Sequence, residues 1–459
     1  MAARTEPATR GALGADCRGR GQLPGPDHDR GDFGMTRSPS SHASHETSHR
    51  VDGDFADVAV VGAGAAGLMA GIQAGRTNPN RRIIVLDGAK SLGAKILVAG
   101  GGRCNVTHHA VDESAYAGSS RNAIRNVLRR FDVPQTVAFF REIGVTLKRE
   151  ETGKLFPTTD SARTVLNALL QEARRVGAAI HHPCRVESIE WEEETFRVSG
   201  PWGALRARKL ILATGGRSLP KTGSDGLGYS LARSLGHSIT PRVFPALVPL
   251  TLEKSDALVE LSGITLPARI ELRGGTGKRL IGFTNSTLIT HFGLSGPSVL
   301  DVSRYYLDEI ARDPDAQLIV NWLPGESAES FDRSLLEARG AAIGRLLTAR
   351  LPERLARLLC AQAEVAFNEP AGQIAREKRR SLVRQVTEMP LAVTGNRGFT
   401  HAEVTAGGVP LAEIQLKTME SRRCPGLFLC GEICDVDGRI GGFNFQWAWA
   451  SGFVAGGSV

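Results

Sequence analysis

No run of eighteen apolar residues occurs in the 459-residue chain, which argues against an ordinary membrane-spanning helix. The amino terminus has no apolar core followed by a small-residue cleavage site, so neither secretion nor a membrane association is expected and the cytoplasm is the predicted location. Cysteine is scarce and unpatterned. The seven, Cys17, Cys104, Cys184, Cys360, Cys424, Cys430 and Cys434, form no C-x-x-C pair, which suits a reducing compartment. The group Cys424, Cys430 and Cys434 has the wrong spacing for zinc and no nearby histidine, so no metal is expected. Apolar periodicity is missing from residues 1–53, where Gly, Pro, Ser, Arg and His dominate, and a disordered tail is predicted there. Seven arginines and seven acids cancel within that tail, so the formal net charge of +8 belongs to the remainder.

What is present is a globular composition, 41% apolar and 23% charged, over a length that predicts two or three domains. The sharpest stretch is Asp57 to Gly67, DVAVVGAGAAG. Val58, Val60 and Val61 around Ala59 predict a buried parallel strand. Gly62, Gly64 and Gly67 stand in the G-x-G-x-x-G pattern of a dinucleotide turn, with a helix to follow over about Ala65–Thr77. Such a turn lets backbone approach a pyrophosphate at the positive end of the helix, so Gly62, Ala63, Gly64, Ala65, Ala66 and Gly67 are assigned to a cofactor. A second strand, RIIVLD, ends at Asp87, where a carboxylate accepts from a ribose hydroxyl and repels a 2′-phosphate. The predicted ligand is FAD or NAD rather than NADP.

Further on, Gly100, Gly101 and Gly102 lead into Arg103, Cys104 and Asn105, a backbone able to lie flat against a ligand, with Lys95 and Arg103 near enough to meet phosphate or a flavin oxygen. Residues 121–148 and 161–177 read as amphipathic helices, and Ala179–Ile189 and Thr195–Ser199 as strands. KLILATGG, ending in Ala213, Thr214, Gly215 and Gly216, is a buried strand that returns to the cofactor. GGTGK at Gly274–Lys278 lacks Walker spacing and lies between strand-like segments, so it is read as a hairpin turn. Residues 246 to about 325 read as short strands and 331–389 as helices. GLFLCGE, Gly426–Glu432, is a last parallel strand, and Gly441, Gly442, Phe443 and Asn444 precede a closing helix whose N–H groups would face an anion. Arg376, Lys378, Arg379, Arg380 and Arg384 read as a solvated face rather than a nucleic-acid site.

Together, GAGAAG, GGGRCNVT, ATGG followed by PKTGSDGLGY, THFGLSGP, TAGGV and GEICDVDGRIGGFNFQWA closely resemble the HI0933/YhiN-like (BaiN-like) FAD-dependent oxidoreductases over residues 55–457. The resemblance implies an α/β fold of the two-dinucleotide-binding-domains flavoprotein type. Its Rossmann-like FAD-binding domain, 54–245 and 395–459, is split by an inserted β-barrel-like, β-rich domain over 246–330 and a helical subdomain over 331–394. Family members include proteins described as aminoacetone oxidases and as reductases of unsaturated steroid-type substrates.

Carried over by position, the resemblance implies that the glycine turn holds pyrophosphate and Asp87 the adenosine ribose. Lys95, Gly101, Gly102, Arg103, Cys104 and Asn105 would line the flavin side, with Val186 on a strand meeting adenine and Ala213, Thr214, Gly215 and Gly216 over the adenosine half. Gly431 and Glu432 would meet the ribityl and pyrophosphate region, and Gly442, Phe443 and Asn444 would offer N–H groups to flavin N1 and O2. Two departures stand out: Phe443 replaces the family's tyrosine, and Asp87 its glutamate. On the substrate side stand Thr290, His291, Ser295 and Arg103. The catalytic acid or base stays open, with His291, Arg103 and Cys104 as candidates. The expected activity is hydride transfer between flavin N5 and a small organic substrate, with NAD(P)H as a donor that binds transiently at the flavin face, since no second G-x-G-x-x-G turn is found. A tRNA-modifying or RNA-associated flavoprotein and a non-enzymatic nucleotide-binding scaffold are the rival readings.

Overall fold

The computed structural model describes residues 54–338 and 340–459; the tail predicted over 1–53 lies outside them. Strand β1 (Phe55–Val61) runs into the glycine turn, and α1 (Ala65–Thr77) follows as expected. Strand β2 (Ile83–Leu86) is wholly buried, as a strand covered on both faces must be. Helix α2 (Ala94–Gly102) stops being regular at Ala99, and Gly100 and Gly101 take left-handed φ of 58° and 69°. The stretch 121–148, expected as one helix, is two: α3 (Arg121–Leu128) and α4 (Val133–Glu142). Asp132 starts the second with a reciprocal capping box to Gln135, and a strand over Leu147–Arg149 follows. After the strand Lys154–Pro157 come α5 (Ala162–Arg175) and β3 (Ala178–His181). The strand expected over 179–189 is broken by a loop before Ser188–Glu192. Strand β4 (Gly203–Leu212) pairs antiparallel with Thr195–Gly200 through its first half, and α6 (Leu227–Ser234) follows the second glycine loop.

The insertion is a seven-stranded sheet of β5 (Leu250–Leu252), β6 (Thr265–Arg273), β7 (Arg279–Thr290), β8 (Gly293–Ser295), β9 (Gln317–Asn321), β10 (Met389–Leu391) and β11 (Val393–Asn396). Its order is β10-β9-β6-β7-β8-β5-β11, and every pairing is antiparallel. Residues 274–278 are the turn between β6 and β7, as read from the sequence. Helix α7 (Pro297–Glu309), not expected among these strands, lies against β6 and β7 with Val299, Val302 and Tyr306 buried. Helices α8 (Ala328–Glu337), α9 (Ile343–Thr348), α10 (Glu353–Gln362) and α11 (Arg376–Thr387) pack onto the same core.

The chain then returns through β12 (Val404–Ala406) and β13 (Leu427–Leu429) to α12 (Phe443–Ser458). The parallel part of the main sheet runs β13-β4-β1-β2-β3, so strands from both sides of the insertion share one sheet, with β4 between β13 and β1. This is an α/β fold with a parallel sheet split by an insertion. Helix α1 is buried on nearly every face, between the sheet and α12. No described helix is long and apolar enough to cross a membrane.

Candidate active site

At the carboxyl ends of the parallel strands lies a cavity of about 510 Å³, where ligands of open α/β sheets bind. Gly62, at φ 105°, turns the chain from β1, and Gly64 caps α1. Asp87 holds this turn: Oδ2 accepts from Ala63 N at 2.6 Å and Oδ1 from Ala89 N at 2.7 Å. Gly62, Gly64, Ala65, Ala66 and Asp87 line the cavity, whereas Ala63 and Gly67 stand behind it.

The walls come from several other segments. Lys95 on α2 pairs with Glu432 at 2.5 Å, and the other Glu432 oxygen accepts from Ser218 Oγ at 2.7 Å and Thr405 N at 3.0 Å. Gly101, Arg103 and Asn105 line the cavity; Gly102 does not. Arg103 lies 4.0 Å over the Phe156 ring and donates to Glu150 at 2.6 Å. Val186 reaches the cavity from the loop after β3 rather than from a strand. Ala213, Thr214, Gly215, Gly431 and Glu432 also contribute, while Gly216 packs against Thr405 and Glu432. At the start of α12, Gly442 and Asn444 face the cavity, and the Asn444 amide clamps Gly438 through N and O at 2.7 and 2.9 Å.

Two expectations are corrected, for Cys104 and for His291 with its neighbours. Cys104 is fully buried outside the cavity, and burial pushes its thiol up to about 12, so it is no reactive thiolate. The Phe443 side chain packs on His108, with ring centroids 5.0 Å apart, and edge-on to Tyr116, leaving only its backbone near the site. His291 sits exposed in the turn between β7 and β8 beside Phe292, where Thr290 Oγ1 closes the turn on Gly293 O at 2.9 Å. Neither these two nor Ser295 lines the cavity, because the hairpin carries them elsewhere. On α11, Arg379 pairs with Asp332 and Lys378 donates to Glu364 O, while Arg376, Arg380 and Arg384 are exposed.

Whether FAD fits can be judged from orphaned polar atoms. Asn105 Oδ1, Thr214 Oγ1 and Ser224 Oγ are buried with no hydrogen-bond partner among the described residues, and all three residues line the cavity. Each such atom costs about 1–3 kcal/mol unless a ligand satisfies it. Three in one cavity beside a dinucleotide turn fit a polar, extended cofactor.

Sequence reasoning did not single out the other end, where Lys154, Phe156, Leu247, Glu403, Arg439 and Ile440 meet. Arg439 donates through Nε and Nη2 to Asp301 Oδ2 on α7, at 3.1 and 2.9 Å, and lies 4.8 Å over the Phe283 ring of β7. Asp301 Oδ1 accepts from Ile440 N at 2.8 Å, so the segment before α12 is fixed to the insertion. Burial pushes the Asp301 carboxyl up, against the pull of Arg439. Burial likewise pushes up Glu403, opposed by Lys154 and Lys95 and reinforced by Asp301. The available signals were position alone: Glu403 is two residues ahead of TAGGV, and Arg439 lies inside DGRIGG.

The profile of the family described as HI0933-like protein Rossmann domain matches residues 56–458. A 3-dehydro-bile acid delta(4,6)-reductase of Clostridium scindens is 34% identical over 403 residues, 87% of this chain and 98% of that protein. A ribosomal RNA dihydrouridine synthase of Escherichia coli is 33% identical over 404 residues, 87% of this chain and 96% of that protein. Among solved structures, 3-ketosteroid delta1-dehydrogenase from Sterolibacterium denitrificans aligns with 88% of this chain and 99% of that chain, at 13% identity and a TM-score of 0.46.

Proposed function

From the premise that the chain belongs to the HI0933-like family and is an FAD-dependent oxidoreductase, we propose that it saturates a carbon–carbon double bond conjugated to a carbonyl in a small, largely apolar molecule. The observation that carries the cofactor half is the set of orphaned atoms on Asn105, Thr214 and Ser224 beside the glycine turn. FAD, when bound, supplies hydride chemistry at N5. The turn Gly62–Gly67 and the N-terminal end of α1 would hold its pyrophosphate, and the first-turn N–H groups of α12 would face the negative charge of the reduced ring. The substrate half rests on the 34%-identical reductase and on an end of the cavity where Phe156, Leu247 and Ile440 stand beside charged Lys154 and Arg439.

We further propose that a nicotinamide donor enters the same cavity. The insertion pairs antiparallel throughout, which is not the βαβ pattern of a nucleotide domain. The six described cysteines are free and buried, in keeping with the cytoplasm. The test is a visible spectrum of the purified protein, then anaerobic reduction with NADH or NADPH and reoxidation by a 3-oxo-4,6-diene steroid. A colourless protein, or a reduced flavin that the steroid leaves reduced, refutes the reading. A second reading takes the same type of bond in a uracil ring of RNA, favoured by the 33%-identical synthase and the exposed Arg376, Arg380 and Arg384. Salt-sensitive RNA retention, lost when these three become glutamine, would support it.

A further inference from the structure

We infer that Glu403 is the proton donor of the reduction and that Lys154 binds the substrate carbonyl. The inference rests on the proposed reduction of a conjugated double bond.

The argument begins by elimination. Four carboxylates line the cavity: Asp87, Asp225, Glu403 and Glu432. Asp87 is held by two backbone N–H groups, Asp225 by Arg185 at 2.6 Å, and Glu432 by Lys95, Ser218 and Thr405. Glu403 has no hydrogen bond or ion pair to its carboxyl group among the described residues; only its N–H is bound, to Leu247 O at 3.2 Å. Glu403 is exposed where it lines the cavity, so its free carboxyl is open to a bound molecule. The direction of its shift favours the neutral form: desolvation by the protein around the cavity raises it, Asp301 on α7 adds to this, and Lys154 and the α2 residue Lys95 oppose it. A carboxyl group that holds its proton more tightly than usual is suited to donate it to a reacting carbon. Lys154 likewise has no partner for its ammonium among the described residues, while Arg439 is already committed to Asp301.

The step balances as follows. The substrate gains a hydride at its β-carbon from the reduced flavin and a proton at its α-carbon from Glu403. The pair of electrons in the double bond forms the α C–H bond, the flavin is left oxidised by two electrons, and the Glu403 carboxylate recovers its proton from solvent. Lys154, donating to the carbonyl oxygen, stabilises the negative charge that builds there meanwhile.

The experiment uses the holoenzyme and a 3-oxo-4,6-diene steroid. Glu403→Gln should keep its flavin and still be reduced anaerobically, but reoxidation by the steroid should slow by about 10²–10⁴-fold. The wild-type rate should fall as pH rises through the Glu403 pKa, a dependence Glu403→Gln lacks. A protonated-carboxyl infrared band should vanish in the same variant without any turnover. Glu403→Asp, which keeps the acid, should recover part of the rate even if Glu403→Gln loses flavin. Reoxidation of Glu403→Gln within roughly threefold of wild type, or an unchanged infrared band, overturns the assignment. Wild-type enzyme with reducible flavin that never passes electrons to the steroid overturns the double-bond reading itself.

Discussion

Two glycines of one turn should fail in different ways. A Cβ on Gly64 would have no heavy atom within 4 Å, and the backbone there, φ −76° and ψ −170°, suits any residue. A Cβ on Gly67 would lie 2.9 Å from the Gly62 carbonyl carbon, nearer still to its oxygen, and 3.3 Å from Ala213 Cβ. Carbon atoms rest about 3.5–4.0 Å apart and the Gly62 oxygen is struck harder than its carbon, so Gly67→Ala must push α1 away from the turn by more than about one ångström. Overpacking of this kind costs about 1–3 kcal/mol, and the upper end applies because backbone rather than a pliable side chain is struck. At roughly 2 °C per kcal/mol for a chain of this size, the apoprotein midpoint should fall by about 6 °C. Gly64→Val should change the apoprotein by under about 1 kcal/mol, since only a helix cap is altered. Its branched side chain instead fills the space assigned to pyrophosphate, and flavin affinity should drop at least 100-fold, about 2.7 kcal/mol. Thermal scans of both apoproteins and flavin absorbance per chain check this. Full flavin retention in folded Gly64→Val, or an apoprotein midpoint for Gly67→Ala equal to wild type, would refute the reasoning.

Asp435 is pushed up to about 6 by burial and by Asp437, so the folded state binds its proton more tightly than the unfolded chain. That contribution is complete below about pH 4 and is lost as pH rises through 6; Asp435→Asn should therefore raise the unfolding free energy at pH 8 by up to about 3 kcal/mol and leave it unchanged at pH 4, as denaturant melts at the two pH values would show. Lys95→Met strands a Glu432 whose side chain is only 15% exposed, and should cost about 2–3 kcal/mol in a thermal scan, largely recovered by adding Glu432→Gln. Initial-rate plots at several nicotinamide concentrations should give parallel lines, as one shared cavity requires; intersecting lines would point to a separate donor site.

The β1–turn–α1–β2 unit was legible because each part is written locally: a β-branched run, glycines at fixed offsets, an acid at the strand end. The break between α3 and α4 was written too, in Asp132, Pro134 and Gln135, but an unbroken amphipathic pattern across 121–148 masked it. Helix α7 carries Pro297 at its start and apolar Val299, Val302 and Tyr306 on one face, a helical period hidden among strand-like neighbours. The glycine-rich segments show where backbone approaches the cavity but not which side chains follow it: Asn105 faces in, Cys104 beside it faces the core. Glu403 and Lys154 were invisible for a different reason. A charge without a partner is a property of what surrounds it in space, and residues 154, 301 and 403 meet only after the insertion has folded.

The packing of α12 on α1 bears on how the protein is made. A Cβ on Gly452 would sit 2.5 Å from Ala66 O, and one on Gly456 2.8 Å from the Ala70 carbonyl carbon, so the two helices touch backbone to backbone. Synthesis delivers α1 early and α12 last of these elements, leaving the apolar flank of α1 uncovered while more than three hundred intervening residues emerge. Cofactor loading is therefore expected to follow the emergence of α12, and a chain truncated by the last two turns of α12 should expose this surface to aggregation and proteolysis.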